Sequence, residues 1–527
     1  MRTKAARIVS VLLMLLTLAS IVAVPASAVS ISPYKGYNYD AYGEATAAPL
    51  GYLPDKTIDY NAMGIDTKFN APKDMFVYND EQIWIADTGN NRIVALDKNY
   101  NYITQFSKFT AADGTEYPLT KPQCVYVKYN KELAKQEIFV CCNVISKNDK
   151  GKEFKDGYVV SADIDGNVIK VFKNPSDSVT SISDFQPTGV VVDDSNYVYV
   201  HAYGVLDGLI VYDYYTGDFI TYYGANKVVL TVKLAVQQIW KKIFSRSASA
   251  SMIQAVPTEM SNIFVDKEGF IYTTTETETV DKDLRVRKLN AVGANTLKGD
   301  ENSIVDVVFG EREEGSKYSA GATITVDTRM TDIHVDDNEM MACMDAERAR
   351  VYIYDKTCTL MTVFGYKSSG SVKEGATANP VAVSKLGEKY LLLDADRGTI
   401  VTYRPTDYMK MLIQANQLYN DGFYVKGEPY WRKVLKYDSN FSRGYAAIGK
   451  SLLEKEKYQD ALYWLKIGQD RTSYSMALAE YRKEFLRANY WWCIPVAVIA
   501  IVAFVMLIKF IQKCLGIKKK AKHIKFN

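Results

Sequence analysis

Residues 74–106 decide the fold of this chain. They contain DMFV at 74–77, IWIADTGNNRIVALD at 83–97 and YITQF at 102–106. Short runs of β-branched and aromatic residues alternate with Asp, Gly and Asn, the residues that tight turns require. Four apolar stretches in succession, separated only by turns, predict an antiparallel meander of four strands.

The pattern recurs further along the chain. MMACMD at 340–345 leads to RARVYIYD at 348–355, and YLLLDADRGTIV occupies 390–401. In all three copies an aspartate (Asp87, Asp345 or Asp394) stands six residues before the first apolar residue of the next strand. This fixed offset predicts one turn geometry used three times. Six such units begin near Pro72, Pro122, Pro187, Met260, Met330 and Pro380.

The motif Ala86-Asp87-Thr88-Gly89-Asn90-Asn91-Arg92-Ile93 resembles the NHL repeat. That resemblance implies a mainly β chain that forms a six-bladed β-propeller over residues 60–405, with one four-stranded blade per repeat. Five or seven blades and a β-sandwich stay open as alternatives. Residues 29–59 form an N-terminal extension that could supply the strand that closes the ring.

After Pro405 the spacing of apolar residues becomes helical. Residues 406–489 resemble two tetratricopeptide (TPR) repeats, because Tyr445, Gly449, Tyr458 and Ala461 stand at that motif's offsets. Two repeats are few for an independent solenoid. We therefore expect this helical segment to lean on the propeller or on a second chain.

Both ends of the chain have the composition of targeting or anchoring segments. Residues 1–28 combine a basic start, an apolar run and Ala26-Ser27-Ala28, which predicts a signal peptide, with an uncleaved anchor as the alternative. Residues 490–509 predict one transmembrane helix, with Pro495 in its first turn. Seven lysines between residues 509 and 527 make 510–527 a basic cytoplasmic tail by the positive-inside rule. The sequence thus predicts a single-pass cell-membrane protein whose bulk is extracytoplasmic.

One insertion has helical spacing. Between residues 227 and 246 the apolar side chains form one stripe, with lysines among the other positions. The stripe predicts either a helix that packs on the propeller or an arm that docks a partner or the membrane surface. Its candidate partner-binding residues are Val232, Val236, Ile239, Trp240 and Ile243.

Few residues suggest catalysis. The three histidines (His201, His334 and His523) lack metal-binding spacing, so structural roles are expected. Cys124 could bridge to Cys141 or Cys142, or all three could be blade core. The acidic segments 163–167, 193–194 and 336–338 favour turn chemistry over calcium binding.

A ring of side chains is expected at the central channel, one from the start of each blade. Its members are Asp74, Cys124, Gly189, Asn262, Asp332 and Ala382. Asp74, Asn262 and Asp332 are the candidate ligand-binding residues, and a divalent cation there is possible. Six-bladed lactonases hold a metal in this way, but Pro187-Thr188-Gly189 departs from their Pro-Asp-Gly motif.

Two functions remain open. The first is a membrane-anchored binding or scaffold protein whose propeller and TPR-like surfaces dock a protein, for example a transporter or an envelope complex. The second is a metal-dependent hydrolase or lyase. Charged residues are 24% of the chain and the bulk between its basic ends is acidic, which excludes a nucleic-acid binder. The 39 tyrosines suit β-sheet and could also stack on carbohydrate. The layout resembles that of surface proteins of Gram-positive bacteria.

Overall fold

The computed structural model describes residues 34–147, 153–175, 184–224, 260–276, 284–303, 305–312, 315–319, 322–370 and 373–515. The predicted signal peptide, the 227–246 insertion and most of the basic tail lie outside these residues. The elements below are numbered in chain order.

The strands are short, and most belong to antiparallel sheets. The first fifteen are β1 (Tyr37–Tyr39), β2 (Ala45–Ala47), β3 (Tyr52–Ile58), β4 (Asp74–Tyr78), β5 (Gln82–Asp87), β6 (Arg92–Asp97), β7 (Tyr102–Phe106), β8 (Lys108–Thr110), β9 (Glu116–Pro118), β10 (Pro122–Asn130), β11 (Lys135–Cys142), β12 (Ile145–Lys147), β13 (Glu153–Lys155), β14 (Tyr158–Asp163) and β15 (Val168–Phe172). The next nine are β16 (Pro187–Val192), β17 (Tyr197–Ala202), β18 (Gly208–Asp213), β19 (Phe219–Gly224), β20 (Asn262–Val265), β21 (Ile271–Thr274), β22 (Val286–Leu289), β23 (Gly315–Ser319) and β24 (Ala322–Val326). The last nine are β25 (Met330–Val335), β26 (Met341–Asp345), β27 (Arg350–Tyr354), β28 (Leu360–Phe364), β29 (Tyr366–Lys367), β30 (Ala376–Thr377), β31 (Pro380–Leu386), β32 (Lys389–Asp394) and β33 (Thr399–Pro405).

Within the described residues, six sheets form the blades of a propeller. Blade 1 is β4-β5-β6-β7, blade 2 is β10-β11-β14-β15, blade 3 is β16-β17-β18-β19 and blade 4 is β20-β21-β22. Blade 5 is β25-β26-β27-β28, and blade 6 is β3-β33-β32-β31. The first strand of each blade contacts the first strand of the next, and β31 contacts β4, so the ring closes. The predicted six-bladed propeller is therefore confirmed.

The outer strand of blade 6 comes from the N-terminal part of the chain. β3 pairs antiparallel with β33, from Tyr52 opposite Pro405 to Ile58 opposite Ile400. Both ends of the propeller thus meet in one sheet, which holds the ring closed. Six apolar clusters make up the core, one at each boundary between neighbouring blades.

The predicted repeated turn is present. Asp87, Asp345 and Asp394 are fully buried and accept hydrogen bonds from backbone N–H groups of the loop before their own blade. The fourth residue after each aspartate adopts a positive φ, and these residues are Asn91 (52°), Ala349 (53°) and Gly398 (60°). In blades 1, 5 and 6, one buried carboxylate thus bonds the blade to its entry loop, because a buried carboxylate needs such donors.

Up to residue 515, where the described part of the chain ends, five helices follow the propeller: α1 (Asp407–Asn420), α2 (Tyr424–Tyr437), α3 (Ser442–Glu454), α4 (Tyr458–Ile467) and α5 (Arg471–Cys514). Each packs on the next, and Gly449 lets α3 approach α4 so closely that a Cβ there would lie 2.5 Å from Leu465 Cγ. The helices share a core with blades 5 and 6, so they lean on the propeller, one of the two predicted arrangements.

The last helix is long and apolar enough to cross a membrane. α5 has 44 residues, which corresponds to ~66 Å at ~1.5 Å per residue. It begins at Arg471 against α4 and continues without a break through the predicted span 490–509. Pro495 therefore lies inside the helix, and the prediction that it occupies a first turn was wrong. The reason is that α5 does not start at the apolar span but begins within the folded body.

Candidate functional site

The predicted ring residues all lie at the inner ends of the blades. In blades 2, 3, 5 and 6 the pairing of the first two strands shifts at this position, between Pro122/Cys124, Pro187/Gly189, Met330/Asp332 and Pro380/Ala382. A bulge of this kind re-aims the following side chain. Asp74, Cys124, Asn262 and Asp332 line a small axial cavity of about 40 Å³.

Asp74 connects blade 1 to blade 2. Its Oδ1 accepts a hydrogen bond from its neighbour's amide, Met75 N, at 2.8 Å. Its Oδ2 accepts one from Val125 N in the next blade at 2.9 Å, and the Cys124 thiol donates to the same carboxylate. Each oxygen of this acid is therefore already bonded to the propeller itself.

Asp332 connects blades 4, 5 and 6 by hydrogen bonds in the same way. Its Oδ1 accepts Ile333 N at 2.8 Å and also the Asn262 side-chain amide, while Oδ2 accepts Val383 N at 2.6 Å. The Asn262 Oδ1 in turn accepts Ile263 N at 2.7 Å. The candidate ligand-binding residues thus join the inner strands of neighbouring blades by hydrogen bonds.

Burial shifts the pKa of both acids. It raises the pKa of Asp74, and it raises that of Asp332 well above its usual range, with the nearby Asp74 as the second cause. Buried carboxyls without a cationic partner favour the neutral acid. Among the described residues, no group of three or more His, Cys, Asp or Glu side chains is placed to hold a metal ion. Since these acids are buried and already bonded to backbone amides of the propeller, they do not fit a divalent cation.

A second layer of channel residues was not predicted. Two residues beyond each ring position, the side chain again lines the cavity, and this layer comprises Phe76, Tyr126, Val191, Phe264, His334 and Ser384. The Phe76 and Tyr126 rings lie 5.0 Å apart, and those of Phe264 and His334 5.1 Å apart. Side chains of this layer therefore pack on one another between blades 1 and 2 and between blades 4 and 5. Because alternate side chains of a strand lie on the same face, counting two residues on from each ring position would have predicted this layer.

The histidines on the inner part of the blades are neutral. Burial lowers the pKa of His334 to about 4 and that of His201 to about 4. The Nδ1 of His201 lies 2.6 Å from Thr188 Oγ1. Both histidines pack among neighbouring strands, as expected for structural residues.

The cysteines of blade 2 are buried in its sheet. Cys124 stands directly opposite Cys141 in the β10–β11 pair, and the thiols of Cys124, Cys141 and Cys142 are free. Contact with Cys141 and burial raise the pKa of Cys124 well above its usual range. The structure therefore supports the core alternative over a disulfide.

The acidic segments form turns, as predicted. Asp163 Oδ1 accepts the amides of residues 165 and 167, Asp193 Oδ1 those of 195 and 197, and Asp336 Oδ1 those of 338 and 340. An aspartate that bonds the backbone two and four residues ahead closes a hairpin loop. Turn geometry accounts for these aspartates.

A buried polar cluster lies where the helices meet blade 5. Arg443 of α3 forms an ion pair with Asp355, and its side chain is 4% exposed while that of Asp355 is fully buried. The same guanidinium donates to Asn416 Oδ1 at 2.9 Å and to the hydroxyls of Thr357 and Thr359. This cluster fixes the orientation of the helices on the propeller, because a guanidinium presents its donors in a rigid fork.

The N-terminal hairpin completes this junction. Asn38 on β1 donates to Asp438 after α2 at 2.6 Å, and Tyr37 donates to Glu311 at 2.6 Å. A polar cavity of about 130 Å³, lined among others by Tyr39, Asp300 and Arg443, lies between the hairpin, blade 5 and the helices. Hairpin, propeller and helices are therefore joined at one place.

Comparisons with known proteins find several similar solved structures. Among solved structures, the chain is similar to virginiamycin B lyase from Staphylococcus aureus (10% identity, TM-score 0.35, 67% of this chain and 100% of that one). It is also similar to PorZ, a surface component of the type-IX secretion system of Porphyromonas gingivalis (12%, 0.33, 70% and 50%). A third similar structure is regucalcin, a calcium-binding protein from Agrobacterium tumefaciens (9%, 0.34, 68% and 95%).

No family model matches the sequence, and no curated protein matches it. The assignments to NHL and TPR repeats therefore stay predictions.

Proposed function

We propose that this protein is a membrane-anchored extracytoplasmic binding protein. Its propeller and helical segment would form one body that docks a protein partner beside the membrane, with a transporter or an envelope complex as the expected partner class. The observation that carries this proposal is the junction: a shared core and the buried Arg443–Asp355 pair join the helices to the propeller, and the last helix continues into the apolar span.

The anchor helix supports a fixed spacing between this body and the bilayer. Ala477 is the last fully buried residue of α5, and the aromatic residues Tyr490, Trp491 and Trp492 that would mark the membrane interface are exposed. At ~1.5 Å per residue, the stretch from Ala477 to Trp491 is roughly 21 Å long. A continuous helix of this length acts as a stalk. It favours a partner that itself projects from the membrane.

The central channel supports binding rather than catalysis. Its acids are engaged by backbone amides of neighbouring blades, and its second layer is filled by packed side chains. The large outer surfaces are then the parts of the body that are free to recognise a partner. Among the residues that the structure describes, no observation favours the hydrolase or lyase alternative.

Purification of the full-length chain from gently solubilised membranes, with partners identified by mass spectrometry, tests this proposal. We expect one membrane protein to co-purify in stoichiometric amount. A matched chain in which only residues 491–508 are exchanged for an unrelated apolar span should retain it, because the body outside the membrane makes the contact. A chain that purifies alone, or a partner lost with the exchanged span, would contradict the proposal.

A further inference from the structure

The second helix of the helical segment exposes a face that its own fold leaves without a partner. On α2, Gly427, Trp431 and Val434 are buried against the body. Lys426, Tyr430, Lys433 and Tyr437 recur at intervals of four, three and four residues, so they form one stripe along the exposed side. With Phe423 and Lys436 at its margins, we call this set the α2 face.

The aromatic members of the α2 face are exposed to solvent. Tyr437 is 61% exposed, Phe423 51% and Tyr430 37%. The Lys426 ammonium lies 4.9 Å from the centre of the Phe423 ring, which aligns charge and ring on one surface. Tyrosine is enriched in the cores of protein interfaces, because it offers a large apolar area and one polar group.

The charge of this face is entirely positive. The single acid of α2, Glu428, points inward, where it bonds Arg432, Lys455 and Ser451, and these donors lower its pKa to about 2. Glu428 thus neutralises Arg432. Lys426, Lys433 and Lys436 form no ion pair with any residue that the structure describes. Three lysine charges therefore face the solvent beside three aromatic rings.

We infer that the α2 face docks an extended acidic segment of a protein partner. The distance along the helix from Lys426 to Tyr437 is roughly 16 Å, the length of about five residues of extended chain. Carboxylates of such a segment would pair with the lysines, and its apolar side chains would cover Tyr430 and Tyr437. This inference rests on the proposed function and names the partner chemistry that the same body would recognise.

The alternation of rings and lysines favours a peptide over a phosphate polymer or a lipid headgroup. A phosphate chain offers no apolar groups to cover the tyrosines. α3, which contacts both α2 and α5, also lies between this face and the anchor helix. The α2 face therefore does not border the helix that enters the bilayer.

Fluorescence anisotropy of a labelled acidic peptide, ELEELE, tests the inference on the full-length chain in nanodiscs of zwitterionic lipid. We expect saturable binding that weakens as salt rises, because the lysines are exposed to screening. The variant K426E/K433E/K436E should bind at least tenfold more weakly, and Tyr430→Ala several-fold more weakly. The control K56E/K68E/K73E reverses three exposed propeller lysines and should bind as the original chain does.

The inference would be overturned if the triple reversal on α2 left peptide binding unchanged or if the propeller control weakened it equally. It would also be overturned if phosphatidylglycerol vesicles or inorganic polyphosphate bound the α2 face and the peptide did not. The variant K426Q/K433Q/K436Q separates charge loss from charge reversal and should show an intermediate loss. A co-purifying membrane protein that survives the triple reversal would refute this docking face and leave the proposed function standing.

Discussion

Replacing Arg443 with alanine should loosen the helices from the propeller. Arg443 and Asp355 are buried, and the substitution leaves the Asp355 Oδ2 with only a long contact to Asn416 Nδ2 at 3.4 Å. It also removes the donor to the hydroxyls of Thr357 and Thr359. Removing one partner of a buried ion pair costs about 3–5 kcal/mol, because the other charge stays buried without compensation.

Hydrogen exchange of the full chain in detergent measures this loss directly. A cost of about 3–5 kcal/mol corresponds to a rise of roughly two to four orders of magnitude in the exchange rate of amides in α1–α4, at ~1.36 kcal/mol per tenfold change. Amides in blades 1–3 should keep their protection, since they share no core cluster with the helices.

A matched arginine supplies the control. Arg432 is bonded to Glu428, but its side chain is 44% exposed, so Arg432→Ala should cost less than ~1 kcal/mol. The double variant R443M/D355N should recover part of the loss, because it removes the uncompensated charge and keeps the acceptor that bonds the turn amides of residues 357 and 359. The reasoning fails if Arg443→Ala accelerates exchange in the helices no more than Arg432→Ala does.

Three further predictions concern stability, each followed by denaturant unfolding. Asp332→Ala should cost about 2–4 kcal/mol by leaving inner-strand amides unpaired, while Asp332→Asn should cost less. The pKa of His201 is about 4 in the buried site and 6.5 when the chain is unfolded. The folded state therefore loses up to ~3 kcal/mol of stability as pH falls from 6.5 towards 4, because the unfolded chain binds the proton more readily. His201→Gln should make stability depend less on pH over this range. Gly449→Ala should cost about 1–3 kcal/mol, because its Cβ would lie 2.9 Å from Leu465 N, whereas Gly370→Ala, with open space around it, should be near neutral.

Local sequence patterns predicted the parts of the fold that local chemistry controls. The offset from Asp87 to Ile93 recurs because a buried carboxylate and a positive-φ residue build the same turn wherever they occur. The axial positions of Asp74, Asn262 and Asp332 followed from the start of each inner strand in the same way. The hydrogen-bond partners of these acids could not be predicted in this way. Val125 and Val383 belong to the next blade, so these bonds depend on how neighbouring blades are aligned.

In the helical segment, too, local patterns predicted some features and packing between elements decided others. Its helical spacing after Pro405 predicted helices, and α1 begins at Asp407. The prediction of a first turn at Pro495 was wrong, because α5 is one helix from the folded body through the apolar span and does not begin at that span. Glu428 points inward because it bonds Ser451 of α3 and Lys455, the residue after α3. This orientation leaves α2 with an unbalanced positive face, and it depends on packing between helices.

The sequence by itself determined the repeated strand pattern, its turns and the single apolar segment near the C-terminus, because each depends on residues close together in the chain. Only the tertiary structure decided that Asp355 would meet Arg443, 88 residues later, and that this pair would join propeller and helices. Contacts of this kind arise from packing between elements, where the partner of a buried charge is set by geometry rather than by spacing along the chain.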